Sequence, residues 1–311
     1  MALVQPHTAG DPMRPTKWLN CRLRSLQRKL AARSQQVSLP VLSRLLRKRQ
    51  YSLRANRKDR EGKSPVGRDA QFVYLEQQRQ EHLQAGQPVL SVDTKKKELI
   101  GDFKNAGQVW CQQAPAVTVH DFPSQAQGRA VPYGLYDLTH NCGHVYVGES
   151  ADTPEFAVDN LAQWCAHEMP LRFPKASRLL LHADCGGSNG VRCKCWKQQL
   201  QEKIANRFGL EVTVCHYPTG CSKWNPIEHR LFSQISRTWA GCPLRSFEVL
   251  LDYLRETTTT TGLKVLAQRV TQVYQKGIEV SAEVMAALNI TYHAVCPQWN
   301  YTIRPHGPVP D

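Results

Sequence analysis

Long apolar runs are absent from this 311-residue sequence. No stretch of about 18 consecutive apolar residues occurs, and the first residues have no apolar core behind a basic start. We therefore expect neither a membrane span nor a secretory leader. Regular cysteine spacing is also missing, because the eleven cysteines form no disulfide framework and no repeated C-x-x-C pair of the kind that binds structural zinc. With 41% hydrophobic and 21% charged residues, the composition is typical of a folded cytoplasmic protein with reduced thiols.

Acidic residues are scarce in the first fifth of the chain. Residues 1–62 contain 15 Lys/Arg against 3 Asp/Glu, a net charge of +12, whereas the remaining residues carry only +2 of the total of +14. A short basic region joined to a nearly neutral large one indicates that the first binds a polyanion and the second has another task. A solvated basic tail is the alternative interpretation.

Two short basic helices are predicted within residues 1–62. The pattern is helical from Trp18 to about Arg49, with Ser38 as the expected N-cap of the second helix. This outline is that of a helix-turn-helix DNA-binding segment, although any amphipathic basic hairpin would have the same pattern. Phosphates or base edges would be contacted by the basic residues of the second helix, which are Arg44, Arg47, Lys48 and Arg49.

Residues 63–86 are expected to form a linker and a helix, and residues 87–311 a larger domain of alternating strands and helices. Its first strand is an apolar run that ends near Asp93. Further strand patterns cover residues 116–120, 132–138, 143–149, 178–183 and 211–216. Helical patterns cover residues 69–85, 153–167, 190–207, 246–256, 265–275 and 281–288.

Three carboxylates stand at the ends of these predicted elements. Asp93 and Asp184 each end a strand, and Glu228 lies in the first turn of a helix that starts near Pro226. Mg²⁺ prefers carboxylate, water and phosphate oxygens, and two metals about 4 Å apart can activate the attacking oxygen and stabilise the leaving oxygen of a phosphodiester. Each carboxylate could instead cap a turn or pair with a lysine.

The surroundings of these carboxylates favour a phosphate-bearing substrate. Gly186 and Gly187 follow Asp184, where the backbone can approach a phosphate closely. Lys223 and Arg230 offer cations near Glu228, and Trp224 offers an aromatic face to an unstacked base. Core packing of Trp224 is an equally good interpretation.

Several long motifs then occur in order along the chain. They are SVDTKKKELIGDFKNAG, PYGLYDLTHNCGHVYVGESADTPEFAVD, LLLHADCGGSNGVR, VCHYPTGCSKWNPIEHRLFS, TTTTTGLKV and WNYTI. In these motifs the chain resembles the Rhodopirellula-type DDE transposase family of bacterial insertion sequences, from about residue 10 to 305. Cys185 and Cys221 stand where the family pattern has Gly and Thr, and Ser34 stands where a turn Gly is usual. The family usually has a longer N-terminal region, so we expect the chain to begin after part of its DNA-binding region.

The resemblance implies an α/β fold, namely an RNase H-like mixed sheet flanked by helices and preceded by a small all-α helix-turn-helix segment. It also implies that Asp93, Asp184 and Glu228 are the catalytic and metal-binding residues, with two Mg²⁺ or Mn²⁺ ions as cofactors. The expected activity is DNA cleavage at element ends followed by strand transfer into target DNA. The alternatives are an RNase H-like nuclease that does not join DNA and a catalytically inactive DNA-binding remnant.

The expected partners are element-end and target DNA, with a homo-oligomer on DNA as a further possibility and no membrane. Lys95, Lys96 and Lys97 follow the first aspartate directly and are expected to hold the DNA backbone, unless they form a solvated lysine run. The expected location is the bacterial cytoplasm, in association with the nucleoid.

Overall fold

The computed structural model describes residues 8–10, 17–19, 21–53 and 65–307. The chain divides into two compact units, residues 1–61 and 62–311. Residues 54–64, which include the start of the predicted linker, lie outside the described residues. None of the helices in the described part of the chain is long and apolar enough to cross a membrane.

The first unit contains the two predicted helices. They are α1 (Leu23–Ala31) and α2 (Leu39–Lys48), preceded by a pair of short antiparallel strands, β1 (Thr8–Gly10) and β2 (Lys17–Leu19). The helical pattern expected from Trp18 onward therefore starts only at Leu23. Leu26 and Leu42 are buried, which leaves the basic side chains of both helices exposed.

Between residues 68 and 256 the second unit contains twelve strands and helices, together with several short helical turns. In chain order the strands and helices are α3 (Arg68–Gln84), β3 (Val89–Thr94), β4 (Glu98–Ile100), β5 (Gly128–Asp137), β6 (Cys142–Gly148), α4 (Pro154–His167), α5 (Met169–Arg172), β7 (Arg178–Ala183), α6 (Lys194–Leu200), β8 (Glu211–His216), α7 (Ser233–Thr238) and α8 (Phe247–Glu256). The C-terminal part adds β9 (Lys264–Val270), α9 (Ala282–Ala286), β10 (Ile290–Tyr292) and β11 (Asn300–Ile303). Helix α6 continues as a π-helix, Gln201–Asn206, and a second π-helix, Glu228–Phe232, leads into α7.

The strands form one nine-stranded mixed sheet in the order β10-β11-β8-β7-β3-β5-β6-β9, with β4 paired to β5. At its centre β3, β7 and β8 run parallel, while β5 pairs antiparallel with both β3 and β6. A parallel trio joined to an antiparallel meander in this order is the RNase H-like arrangement, and the expected α/β class with a mixed sheet is confirmed. The segment before it is not all-α as expected, because β1 and β2 pair there.

Helices cover both faces of the sheet. On one face α4 and α6 bury Trp164 and Trp196 in the largest apolar cluster. On the other face Leu231 and Leu250 belong to a second cluster formed by the Glu228–Phe232 segment, α7 and α8. Helix α3 closes a third, smaller cluster through Leu75. Both faces are buried because the central strands are apolar on both sides, as parallel sheets require.

Two predicted elements are wrong. Residues 265–275 were expected to be helical but contain β9, which pairs in parallel with β6 along its whole length. Val265 and Val270 are buried while Leu266 is 46% exposed, so tertiary pairing decides the conformation of a short apolar segment that periodicity alone leaves ambiguous. Residues 116–120 were expected to be a strand, but they lie in the irregular segment between β4 and β5, where Val119 is exposed.

Candidate active site

The parallel pairing of β3 and β7 places the two strand-end aspartates side by side. Val92 is aligned with Ala183, so Asp93 and Asp184 follow at the same edge of the sheet. This is the geometry expected of carboxyl ends of neighbouring parallel strands. Glu228 comes from the helical segment that crosses one face of the sheet, three residues after a buried Asn225.

The three carboxylates act on one another electrostatically. Burial, together with the negative charges of Asp184, Glu228 and Asp152, raises the pKa of Asp93 to about 8, although a hydrogen bond from the Thr94 backbone N–H opposes the shift. Burial also raises the pKa of Asp184, with a smaller contribution from Glu228, while a hydrogen bond from Asn225 opposes the shift. The site therefore concentrates negative charge in a partly desolvated pocket.

Two neighbouring cavities contain these carboxylates. The first has a volume of about 510 Å³ and is lined by Asp93, Thr94, Lys95, Lys96, Lys97, Asp152, Asp184, Gly186 and Gly187. Glu228 lines the second, of about 400 Å³, which shares Lys95 and Lys96 with the first.

The residues present fit a divalent cation by their chemistry. Within the described ranges of the chain, no three Asp, Glu, His or Cys side chains converge closely enough to form a ready-made metal-binding cluster. The available ligands are nevertheless carboxylate oxygens, which hard divalent cations prefer. Burial and then the negative charge of Asp184 raise the pKa of Asp93, and a bound cation would favour the ionised carboxylate against both effects.

Asp152 is a third carboxylate in the first cavity, beside Asp93 and Asp184, and was not predicted from the sequence. It lies just before α4, accepts a hydrogen bond from the Thr94 hydroxyl at 3.0 Å and pairs with Lys97 at 3.5 Å. The only signal in the sequence was its place in the ESADTPEF segment, where the neighbouring Thr153 caps α4.

The structure separates the three consecutive lysines. Lys95 is only 7% exposed, its ammonium group binds Glu98 at 3.0 Å, and it lies 4.5 Å from the centre of the Trp239 ring. Lys96 is exposed, and Lys97 is 41% exposed beside Asp152. Lys96 and Lys97 can therefore reach a DNA phosphate, whereas Lys95 is engaged within the protein.

The basic and aromatic residues that are close to Glu228 in sequence have different environments in the structure. Trp224 is 53% exposed, with the Lys223 ammonium 5.5 Å from its ring centre and Phe72 packed at its edge. Arg230 lies beside the Tyr136 hydroxyl, which donates to Asn141 at the end of the sheet opposite Asp93. Lys223 and Trp224 thus lie on the turn that leads to Asn225 and Glu228, outside the linings of the two cavities, and Arg230 is directed away from Asp93.

In the first unit, the residues expected to contact DNA are all exposed on α2 or at its end: Arg44, Arg47, Lys48 and Arg49. Arg44, Arg47 and Lys48 lie on the side of α2 opposite the buried Leu42, and Arg49 follows at the C-terminal end of the helix. The described residues thus present the basic helix face that the sequence predicted.

The chain is similar to known proteins in sequence and in fold. The family model described as Rhodopirellula transposase DDE domain matches residues 1–305. A search of curated proteins finds no match.

Among solved structures, similar ones are the Mos1 transposase paired-end complex with left transposon end and the Mos1 mariner paired-end complexes with Mn and with Mg. The first is 13% identical, with a TM-score of 0.46 over 79% of this chain and 73% of that chain. The complex with Mn is 14% identical with a TM-score of 0.46, over 80% and 73% of the two chains. The complex with Mg is 12% identical with a TM-score of 0.47, over 80% and 74%.

Proposed function

The chain belongs to the Rhodopirellula transposase DDE family, and we propose that Asp93, Asp184 and Glu228 are the carboxylates with which it cleaves DNA at element ends and transfers the ends to target DNA. The observation that carries this assignment is the parallel pairing of β3 and β7, which sets Asp93 beside Asp184. The electrostatic influence of Glu228 on both aspartates supports its place as the third member.

The reaction consists of two displacements at phosphorus. In the first, a water oxygen attacks the phosphodiester at the element end and the 3′ oxygen leaves as a free hydroxyl. In the second, that 3′ hydroxyl attacks a target phosphodiester and the target's own 3′ oxygen leaves. Each displacement forms one phosphorus–oxygen bond and breaks one. A divalent cation, Mg²⁺ or Mn²⁺ and in our proposal a pair of them, would activate the attacking oxygen and stabilise the leaving oxygen.

The protein's own residues hold and orient the reactants. Asp93, Asp184 and Glu228 are the ligands for the cations, and the exposed Gly186 and Gly187 form the adjoining wall of the cavity. A side chain at Gly186 would meet no protein atom, and its backbone φ is not positive, so the fold itself does not require glycine there. Close approach of a DNA backbone provides a reason for it.

DNA contacts outside the cavity follow from charge and exposure. We assign phosphate contacts to Lys96 and Lys97 and contact with an unstacked base to Trp224 beside Lys223. The basic face of α2 is assigned to duplex DNA. In this proposal the protein acts on the bacterial nucleoid, and assembly as a homo-oligomer on DNA would bring two element ends together.

The test is conservative substitution of each carboxylate. Asp93→Asn, Asp184→Asn and Glu228→Gln keep shape but remove the charge that holds a cation. Each should reduce cleavage and strand transfer on a pre-formed end duplex with Mg²⁺ by more than about 100-fold, above the loss typical of outer-shell partners of metal ligands. DNA binding should be retained, because phosphate contacts are made elsewhere.

Asp137→Asn is the matched control. Asp137 is also a buried strand-end aspartate, but it lies at the end of β5 remote from Asp93 and accepts hydrogen bonds from the Thr139 and His140 backbones. Its variant should cleave like the wild type per folded molecule. Wild-type cleavage by any carboxylate variant would remove that residue from the assignment. Cleavage without joining would favour a nuclease, and an inactive wild type would favour a DNA-binding remnant.

A further inference from the structure

Asn225 is a fully buried side chain that lies between the carboxylate-bearing elements. It stands between a 3₁₀ turn, Ser222–Trp224, and the helical segment that carries Glu228, and its relative exposure is 0%. Its Nδ2 donates a hydrogen bond to Oδ1 of Asp184 at 3.0 Å. One oxygen of the Asp184 carboxylate is therefore held by a neutral donor, which leaves the other oxygen available for a cation.

The amide oxygen of Asn225 links this residue to β3. It accepts a short hydrogen bond from the Ser91 hydroxyl, and Ser91 Oγ in turn accepts the Ile227 backbone N–H at 3.1 Å. Ser91 precedes Asp93 by two positions on β3, and Ile227 directly precedes Glu228. Because the side chains of residues two apart lie on the same face of a strand, Ser91 and Asp93 share a face.

The donor and acceptor roles in this network are fixed by its ends. A carboxylate accepts only, so the nitrogen of Asn225 must face Asp184 and its oxygen must face Ser91. The Ser91 hydroxyl must then donate to Asn225, which leaves its lone pairs for the Ile227 N–H. Each group meets a complementary one, and the network joins the three segments that carry the carboxylates.

We propose that Asn225 is a positioning residue that orients the Asp184 carboxylate relative to Asp93 and Glu228 and thereby sets the affinity of the site for its divalent cation. This inference rests on the proposed function of the three carboxylates. Outer-shell hydrogen bonds to metal ligands fix ligand orientation, and their loss typically costs about 10- to 100-fold in metal affinity or activity. A purely structural role would reduce stability without changing metal affinity.

The experiment measures Mn²⁺ affinity directly in the full chain. Mn²⁺ is titrated into the wild type and Asn225→Ala, and binding is followed by loss of the electron paramagnetic resonance signal of free Mn²⁺. The Mn²⁺ dependence of cleavage and the KM for an end duplex are measured in parallel. Asn225→Ala should weaken Mn²⁺ binding about 10- to 100-fold and raise the Mn²⁺ concentration for half-maximal cleavage equally. The KM for DNA should stay within about twofold, since no DNA contact is removed.

Asn160→Ala is the matched control. Asn160 is a fully buried asparagine on α4 whose side chain has no hydrogen-bond partner among the described residues. Its variant should bind Mn²⁺ like the wild type. Ser91→Ala leaves the Asn225 donor to Asp184 in place but removes the anchor of Asn225 and the acceptor of the Ile227 N–H, and it should shift Mn²⁺ affinity in the same direction by a smaller factor. If Asn225→Ala does not fold, the Mn²⁺ affinity of Ser91→Ala tests the proposal instead.

Wild-type Mn²⁺ affinity in folded Asn225→Ala would overturn the proposal, as would wild-type affinity in Ser91→Ala where only that variant folds. Asp184→Asn separates this outcome from failure of the proposed function. If Asp184→Asn is inactive while Asn225→Ala binds Mn²⁺ normally, only the positioning role is lost. If Asp184→Asn cleaves normally, the carboxylate assignment itself fails.

Discussion

Lys95, Lys96 and Lys97 have the same chemistry and consecutive positions, yet the structure gives them different environments. Lys95 bridges Glu98 and the Trp239 ring within the protein, and burial lowers its pKa. Lys97 keeps one donor on Asp152 and has two more available, since an ammonium group carries three. Lys97 can thus bind a phosphate while Asp152 holds it at the cavity.

This difference predicts separable effects of substitution. Lys97→Met should weaken binding of an end duplex and reduce the slope of log K against log salt by about 0.9, the contribution of one phosphate contact. Lys95→Met should leave that slope unchanged. It should instead lower the free energy of unfolding by about 1–3 kcal/mol, because Glu98 loses its partner in a mostly buried position. DNA-binding titrations at several salt concentrations and thermal unfolding measure the two effects. A reduced slope in Lys95→Met would contradict the internal role of Lys95.

Among the residues of the candidate site, only those marked by a local sequence pattern could be predicted. Asp93 and Asp184 could be predicted because an apolar strand visibly ends at each of them, and parallel pairing then brings the ends together. Asp152 and Asn225 could not, because their roles depend on which loops meet at the edge of the sheet. The engagement of Lys95 depends on Trp239, which is far away in sequence.

At the scale of elements, both helices of the first unit end in the same way. After α1, the Gln35 N–H binds the Leu30 carbonyl and the Ser34 N–H binds the Ala31 carbonyl, which is the Schellman pattern of a helix C-terminus. Ser34 occupies the left-handed position with φ +58°, where glycine is usual. The left-handed φ accounts for the glycine that is usual at this position in the family pattern, because glycine adopts it without steric cost, whereas Ser34 adopts it at a cost.

Ser34→Gly should therefore stabilise the turn between α1 and α2. Removing the left-handed strain of a residue with a Cβ gains about 1–2 kcal/mol, and the greater backbone entropy of glycine in the unfolded chain offsets about 0.5–1 kcal/mol of it. Amide hydrogen exchange of α1 and α2 in the full chain should slow about two- to fivefold, which corresponds to a net 0.5–1 kcal/mol. Ser43→Gly, inside α2, is the control and should speed exchange, because glycine is unfavourable within a helix. Faster exchange in Ser34→Gly would contradict the assigned strain.

Elements with local signals could be predicted, and elements stabilised mainly by distant pairing could not. The helix predicted at residues 153–167 is α4, whose first turn is set by Thr153 accepting the Phe156 N–H. The sequence of β9 contains no such local signal, and its conformation depends on β6, more than 100 residues earlier. Strands β10 and β11 at the opposite edge were not predicted either, since β11 is defined by its pairing with β8.

At the scale of the whole molecule, most of the net positive charge and the proposed catalytic carboxylates belong to different units. The +12 of residues 1–62 accompanies a small helical unit, whereas Asp93, Asp184 and Glu228 lie in the large and nearly neutral one. Lys96 and Lys97 are the exposed cations beside the proposed site, but most of the net positive charge of the chain lies in residues 1–62. We therefore expect the first unit to supply most of the phosphate contacts with duplex DNA.

The consequence is that the salt dependence of duplex binding should come largely from the first unit. Replacing Arg44, Arg47, Lys48 and Arg49 together by Gln in the full chain removes up to four phosphate contacts and should reduce the slope of log K against log salt by up to about 3.6. The control replaces Lys175, Arg207 and Lys264 by Gln, because these exposed cations lie at the end of the sheet opposite Asp93. Its slope should equal that of the wild type. Cleavage of a saturating end duplex should survive both sets of changes, since neither touches the carboxylates. Equal slopes for the α2 variant and the wild type would show that duplex DNA is bound elsewhere and that the basic face of α2 is only a solvated surface.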